Sequence, residues 1–273
     1  MTQQNPADHP EAATASATGA REQAAAAGAA SAIPASAGSP ATADAAAGGA
    51  AAGGARAASP GIRSRVFRGA LFDMDGTLID STPAVDRSWT TWGQEWGLDP
   101  AFREGMHGKP AIGLVSAVIA PERVDEAFAR ILQLELADVD GITPLGGAAE
   151  LLGSLPDGRR AIVTSCTRDL ARVRIEASGI PAPATVVTID DTERGKPNPD
   201  PFLEGARRLG FDPRDCIVVE DAPAGLAAGR AAGCTTIGVV GTHSAAELDA
   251  DLVVDSLADL RFVPVDGGFR LDF

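Results

Sequence analysis

Val66-Phe67-Arg68-Gly69-Ala70-Leu71-Phe72-Asp73-Met74-Asp75-Gly76-Thr77 is the stretch on which the reading of this chain turns. Its apolar run, bounded by turn-forming residues, predicts a buried strand that ends at Asp73. Past that end, Asp73 and Asp75 stand at i and i+2. On an extended backbone their carboxylates lie on one side and converge on a single point. Taken alone, Asp, Gly and Thr at the end of a run are also what a solvated turn contains. The rest of the chain decides between the two.

Strand-like runs recur downstream at Ala161-Ile162-Val163-Thr164, Thr185-Val186-Val187-Thr188, Cys216-Ile217-Val218-Val219 and Thr235-Thr236-Ile237-Gly238-Val239-Val240. Stretches of helical periodicity separate them, such as Asp169 to Ser178 and Pro201 to Leu209. This alternation predicts an α/β chain, with a parallel sheet carrying helices on both faces. From about Pro83 to Pro144 the texture changes to helical patterns with no convincing strand. Trp89, Trp92 and Trp96 fall there at helical spacing, and Val124 to Leu136 repeats apolar residues at three and four. Such a stripe reads as helix packing, and the segment as a small helical domain inserted into the sheet domain. At the far end, apolar residues alternate around Asp266-Gly267-Gly268, which predicts a hairpin.

Residues 1–62 are mostly Ala with Gly, Ser, Thr and Pro, a composition with little surface to bury, and are expected to be a disordered tail. The expected organisation is therefore tail 1–62, sheet domain 63–82 and 145–273, and helical insertion 83–144. A targeting peptide is the weaker reading of the tail, because Gly and Pro interrupt it and no run of large apolar residues follows a basic start. With the tail set aside, no segment approaches the roughly 18 consecutive apolar residues of a membrane span. Acidic residues outnumber basic ones 37 to 23, a net charge of −14, which disfavours nucleic acid as a partner. Cys166, Cys216 and Cys234 stand singly, without metal-ligand spacing, and fit a reducing cytoplasm.

In an open parallel sheet the crevice at the carboxyl ends of the strands is where ligands bind, and a strand ending in Asp-x-Asp aims both side chains there. The other strands end in groups suited to a phosphate. Thr164 and Ser165 offer hydroxyls ahead of a helix, although singly such a pair is more often an N-cap. Lys196 is framed by Gly195 and Pro197 just before a new helix, as a fixed cation would be. Glu220-Asp221 ends the fourth run with carboxylates able to complete an oxygen-ligand site for Mg²⁺. Phosphoryl transfer needs a nucleophile, charge compensation and an acid for the leaving oxygen. Here Asp73 is the candidate nucleophile and Asp75 the candidate acid and base. Mg²⁺ would lie between Asp73 and the phosphate, with help from the Asp75 carbonyl and Asp221.

Asp73-Met74-Asp75-Gly76-Thr77, Ser165, Lys196 and Glu220-Asp221, in that order, resemble the four motifs of the haloacid dehalogenase superfamily. The helical insertion resembles the cap domain of one subgroup. Asp80-Ser81-Thr82-Pro83-Ala84-Val85, His107-Gly108-Lys109, Arg194 to Asp200 and Val219 to Gly225 look like its sugar- and polyol-phosphate phosphatases. The resemblance implies a Rossmann-like core, Mg²⁺ as cofactor and a small phosphorylated metabolite as partner, in a monomer or weak homodimer. It also implies that Ser165 hydrogen-bonds a phosphoryl oxygen, that Lys196 bridges Asp73 and the phosphate, and that Asp221 ligates the metal directly. Glu220 is then either a ligand or the partner of one. Cys166 departs from the small residue usual after Ser165; its backbone amide can still face the phosphate, and a plain small side chain is favoured over a reactive thiolate.

Specificity is expected from the cap, where Lys109 and His107 would reach sugar hydroxyls. A dehalogenase has no need of the second acid at Asp75. A sugar phosphomutase shares the core motifs, but Val85 stands where such mutases carry a histidine. A module that only binds a phosphate ligand would be expected to lack a nucleophile, acid or metal carboxylate, and here none is missing.

Overall fold

The computed structural model describes Ser59, residues 61–103 and residues 111–273. The run before Asp73 forms β1 (Gly69–Phe72), every residue of it buried. A two-residue strand, β2 (Ile79–Asp80), leads out of the sheet domain into α1 (Thr82–Glu95), α2 (Ala111–Val118) and α3 (Val124–Ala137). The chain returns through β3 (Thr143–Pro144) and α4 (Ala148–Gly153) to β4 (Arg160–Val163), α5 (Arg168–Ser178) and β5 (Thr185–Val187). Then follow α6 (Asp200–Leu209), β6 (Cys216–Glu220), α7 (Pro223–Ala231), β7 (Thr235–Val239) and β8 (Leu252–Val254). The hairpin forms as β9 (Arg261–Val265) and β10 (Gly268–Asp272).

The main sheet has the order β5-β4-β1-β6-β7-β8, all neighbours parallel. From β1 the chain winds to one side through β4 and β5, then crosses back to build β6, β7 and β8 on the other. β1 thus sits where the winding reverses, the position at which such sheets leave an open crevice. Because side chains alternate along a strand, Ala70 and Phe72 join one apolar core and Leu71 the other. The first core takes in Leu151 and Leu152 of α4, Leu170 of α5 and Phe262 and Phe269 of the hairpin. The second is closed by Phe202 and Ala206 of α6 and Ala228 of α7. Both faces of the sheet are therefore covered, as the near-continuous apolar strands require.

The three helices between β2 and β3 build a separate core around Trp89, Trp92, Val115 and Ile131, so the tryptophan stripe is packing surface as expected. Trp92 is fully buried and its indole Nε1 donates to the Ala127 carbonyl at 2.8 Å. Trp92→Ala removes the ring and its bond to the helix carbonyl, and is expected to cost about 3–5 kcal/mol of stability. Thermal unfolding of the variant measures it, and an unchanged midpoint would contradict the packing role.

Three expectations need correction. The stretch read as helical throughout ends in β3, which pairs antiparallel with β2 through Ile79 opposite Pro144 and Asp80 opposite Thr143. A two-residue pair has too little sequence to show a period. Ile62, assigned to the tail on composition, is 5% exposed and packs in the first core. Composition averages over many residues and does not register one buried side chain. β8 was not anticipated, because Leu252-Val253-Val254 is only three residues long between Asp251 and Asp255. No helix among the described residues is long and apolar enough to cross a membrane.

Candidate active site

Sheet register assembles the carboxylates. Phe72 pairs with Val219, so the next residues, Asp73 and Glu220, emerge side by side, with the Asp73 amide donating to the Val219 carbonyl at 2.9 Å. Asp221 follows. Asp73, Glu220 and Asp221 each present a carboxylate oxygen within 4.8 Å of the others, and all three are buried. Lys196 enters from the loop after β5. Its Nζ donates to Asp73 Oδ1 at 2.5 Å, to Glu220 Oε1 at 2.9 Å and to the Val163 carbonyl at 2.9 Å. Those three bonds use every donor an ammonium has.

Three buried carboxylates against one ammonium leave an excess of negative charge. Burial pushes the Asp73 carboxyl well above the usual carboxylate range, with Lys196 opposing and Glu220 and Asp221 adding to the rise. Asp221 is pushed up to about 6 by burial and by Glu220. For Lys196, burial works against the charge but Asp73 and Glu220 outweigh it, and the ammonium is held above its ordinary value. An oxygen-only, electron-rich and desolvated donor set of this kind fits a hard divalent cation.

The individual carboxylates are oriented differently. Thr77 Oγ1 donates to Asp221 Oδ1 at 3.0 Å, and Thr242 Oγ1 donates to Asp221 Oδ2. Glu220 spends Oε1 on Lys196 and Oε2 on the Ala222 amide at 2.8 Å, fixing the start of α7. Gly225 in that helix lies directly against the Glu220 carboxylate, and a methyl group there would overlap it. Gly76 has φ +84°, and a methyl group there would meet Asp221. Gly225→Ala is therefore expected to push Glu220 off Lys196 and lower kcat by up to about 10²-fold, the effect of a roughly 1 Å misplacement. Steady-state kinetics checks this, and wild-type kcat would show that Glu220 has room to move.

Asp75 sits in a second network. Its Oδ1 accepts from Ser81 Oγ at 2.6 Å and from Arg174 Nη1 at 2.9 Å, while Cys166 Sγ lies 3.1 Å from Oδ2. Burial, and then Asp75, push the Cys166 thiol well up, so it stays a neutral small group. Ser165 is exposed at the end of β4 and lines the cavity in front of Asp73, whereas Thr164 is buried and its Oγ1 accepts from the Cys166 amide at 3.1 Å. The cavity has a volume of about 270 Å³. The carboxylates of Asp73, Asp75, Glu220 and Asp221 line it together with the apolar side chains of Val85, Trp89, Ile112, Phe128 and Leu132 from the inserted helices.

A family model described as haloacid dehalogenase-like hydrolase matches residues 67–233. The chain belongs to that family. Among curated proteins this hydrolase is 43% identical over 211 residues to hexitol phosphatase A of Escherichia coli (strain K12), covering 74% of this chain and 96% of that one. It is 35% identical over 223 residues to glycerol-1-phosphate phosphohydrolase 2 of Saccharomyces cerevisiae, covering 74% and 86%. Among solved structures, a hydrolase from Pseudomonas syringae superposes with a TM-score of 0.60 at 26% identity, covering 67% of this chain and 89% of that one.

Asp73, Asp75, Ser165, Cys166, Lys196, Glu220 and Asp221 of the hydrolase thus gather at one cavity. His107 and Lys109 lie outside the described residues. Sequence reasoning quoted Thr77 and Ser81 within motifs without giving either a role, and missed Thr242, Glu135 and Arg174. The last two carried a signal. Arg174 falls on the buried stripe of α5 with Leu170, Ala171 and Ser178, and Glu135 on that of α3 with Ala127 and Ile131. A charge on an apolar helix face needs a partner, because a lone buried charge is strongly disfavoured. Each supplies the other's, with Arg174 Nη2 3.2 Å from Glu135 Oε1.

Proposed function

We propose that this protein hydrolyses small sugar or polyol phosphates through a phosphoaspartyl intermediate on Asp73, with Mg²⁺ as cofactor. The observation that carries the reading is the pairing of two differently held carboxylates at one cavity. Asp73 is clamped by Lys196 inside the anion cluster, and Asp75 stands apart from that cluster. The identities to hexitol and glycerol phosphate hydrolases support the substrate class. The division into a sheet domain and a helical cap that closes the cavity belongs to the same reading.

In this scheme an Asp73 carboxylate oxygen attacks phosphorus in line while Asp75 protonates the leaving alkoxide. Asp75 then takes a proton from the water that cleaves the acyl phosphate, and Asp73 leaves as a carboxylate. In the same scheme Lys196 holds Asp73 in its attacking orientation, and Ser165 donates to a phosphoryl oxygen. A divalent cation held by Asp73, Asp221 and the Asp75 carbonyl would offset the repulsion between carboxylate and phosphate. The apolar side chains lining the cavity exclude water around the ester.

Phosphate release from hexitol, glycerol and hexose phosphates, with and without Mg²⁺, tests the function. Release from one of these in Mg²⁺ is expected. No release from any, or conversion of a sugar phosphate to its isomer without free phosphate, would overturn it. Independently of turnover, Mg²⁺ is expected to stabilise the metal-free protein, by about 2.7 kcal/mol at a hundredfold excess over Kd. Asp221→Asn should diminish that thermal shift, and a full shift in the variant would remove Asp221 from the cation site.

A further inference from the structure

Outside the anion cluster, a chain of charged groups runs from the inserted helices into the cavity. Trp89 Nε1 on α1 and Arg174 Nη2 on α5 both donate to Glu135 Oε1 on α3, each at 3.2 Å. Arg174 Nη1 continues to Asp75 Oδ1 at 2.9 Å. The Arg174 and Glu135 side chains are each only 6% exposed. Burial raises the Glu135 carboxyl, opposed by Arg174, while the carboxylates of Asp75 and Glu135 more than offset the effect of burial on Arg174 and hold its guanidinium charged.

The two oxygens of Asp75 are not equivalent. Oδ1 accepts from two strong donors, Ser81 Oγ and Arg174 Nη1, whereas Oδ2 faces the Cys166 thiol, a weak donor and weak acceptor. With Oδ1 committed as an acceptor, a proton carried by this carboxyl sits on Oδ2. Rotating the carboxyl would break a charge-assisted bond to a guanidinium whose other arm is anchored in a different helix.

We propose that Arg174 is the positioning residue for Asp75, and that Glu135 holds Arg174 in place, so that packing of the inserted helices on the sheet domain completes the seat of the acid. This role rests on the phosphatase reading of the site. In the first step Asp75 Oδ2–H gives its proton to the bridging ester oxygen as that oxygen's bond to phosphorus breaks and the Asp73 Oδ–P bond forms, so the alcohol departs neutral. In the second, water gives a proton back to Oδ2 as its oxygen bonds to phosphorus and Asp73 leaves. Arg174 touches none of the reacting atoms in either step.

Phenyl phosphate and p-nitrophenyl phosphate test this role, being similar hydroxyl-free esters that differ in how far the leaving oxygen needs a proton. For both, kcat/KM reports the steps through phosphoenzyme formation. In Arg174→Met the p-nitrophenyl to phenyl ratio of kcat/KM is expected to rise about tenfold or more, a part of the roughly 10²–10⁴-fold supplied by a general acid. Arg174→Lys keeps a charge but loses the two-armed fork, and its ratio should rise at least about threefold. Glu135→Gln should move the ratio the same way by a smaller factor.

A wild-type ratio in folded Arg174→Met, even with both rates lowered, overturns the positioning role, because a merely structural or hydroxyl-binding function would not change leaving-group sensitivity. If circular dichroism shows that Arg174→Met does not fold, Arg174→Lys decides by the same ratio. A wild-type ratio in Glu135→Gln overturns the part assigned to the inserted helices. Failure of the phosphatase reading looks different, since the unsubstituted protein would then be inert on both esters and on hexitol phosphate.

Discussion

Asp73→Asn is expected to lower kcat by on the order of 10⁴-fold or more, as removal of a covalent nucleophile does elsewhere, while leaving the protein at least as stable as the unsubstituted chain. The amide keeps the shape of the side chain and can still accept from Lys196 Nζ, which lies 2.5 Å from Asp73 Oδ1. It loses the anionic oxygen that bonds to phosphorus in the proposed scheme. The stability half follows from charge counting. Asp73, Glu220 and Asp221 crowd within 4.8 Å around a single ammonium, so neutralising one carboxylate relieves repulsion in metal-free buffer. Function and stability pull in opposite directions here, as they do at many active sites. Single-turnover kinetics and a thermal scan measure the two halves. Retained turnover would sink the covalent scheme, and a markedly lower thermal midpoint would contradict the account of the anion cluster.

Lys196→Met should lower both activity and stability. Nζ joins Asp73, Glu220 and the Val163 carbonyl, so it fixes the proposed nucleophile, Asp73, while compensating part of the cluster's charge. Without it, three carboxylates are left in a desolvated pocket, and breaking a buried pair by removing one partner costs about 3–5 kcal/mol. The catalytic loss is expected to be about 10²–10³-fold, the scale on which one preorganised electrostatic group acts. Because a divalent cation supplies opposite charge to the same carboxylates, the stability deficit should narrow when Mg²⁺ is added. Midpoints that match wild type in metal-free buffer, or a kcat within a few-fold of it, would remove Lys196 from this role.

The motif residues were legible because each is announced locally. Asp73 and Asp75 stand at the end of an apolar run, Ser165 and Glu220-Asp221 at the ends of others, and Lys196 between Gly195 and Pro197. A run of four or five apolar residues with turn residues behind it determines a strand and its exit point without reference to anything distant. Thr242 was less legible. It follows β7 and serves Asp221, but a Gly-Thr-His segment after a strand is also any surface turn.

By itself, then, the sequence determined the alternating strands and helices, the helical stretch between them and the identity of the groups we propose for phosphoryl transfer. Only the tertiary structure decided which of them meet. The strand order places β6 beside β1, so Glu220 emerges next to Asp73, and the loop after β5 carries Lys196 across 123 positions of sequence to reach it. It also decided that Arg174 and Glu135, 39 residues apart on two different helices, close on each other and on Asp75. The physical reason is that a helical period shows which face is buried but not what it is buried against. A charge on that face shows only that a partner must exist, and the packing of the helices chooses it.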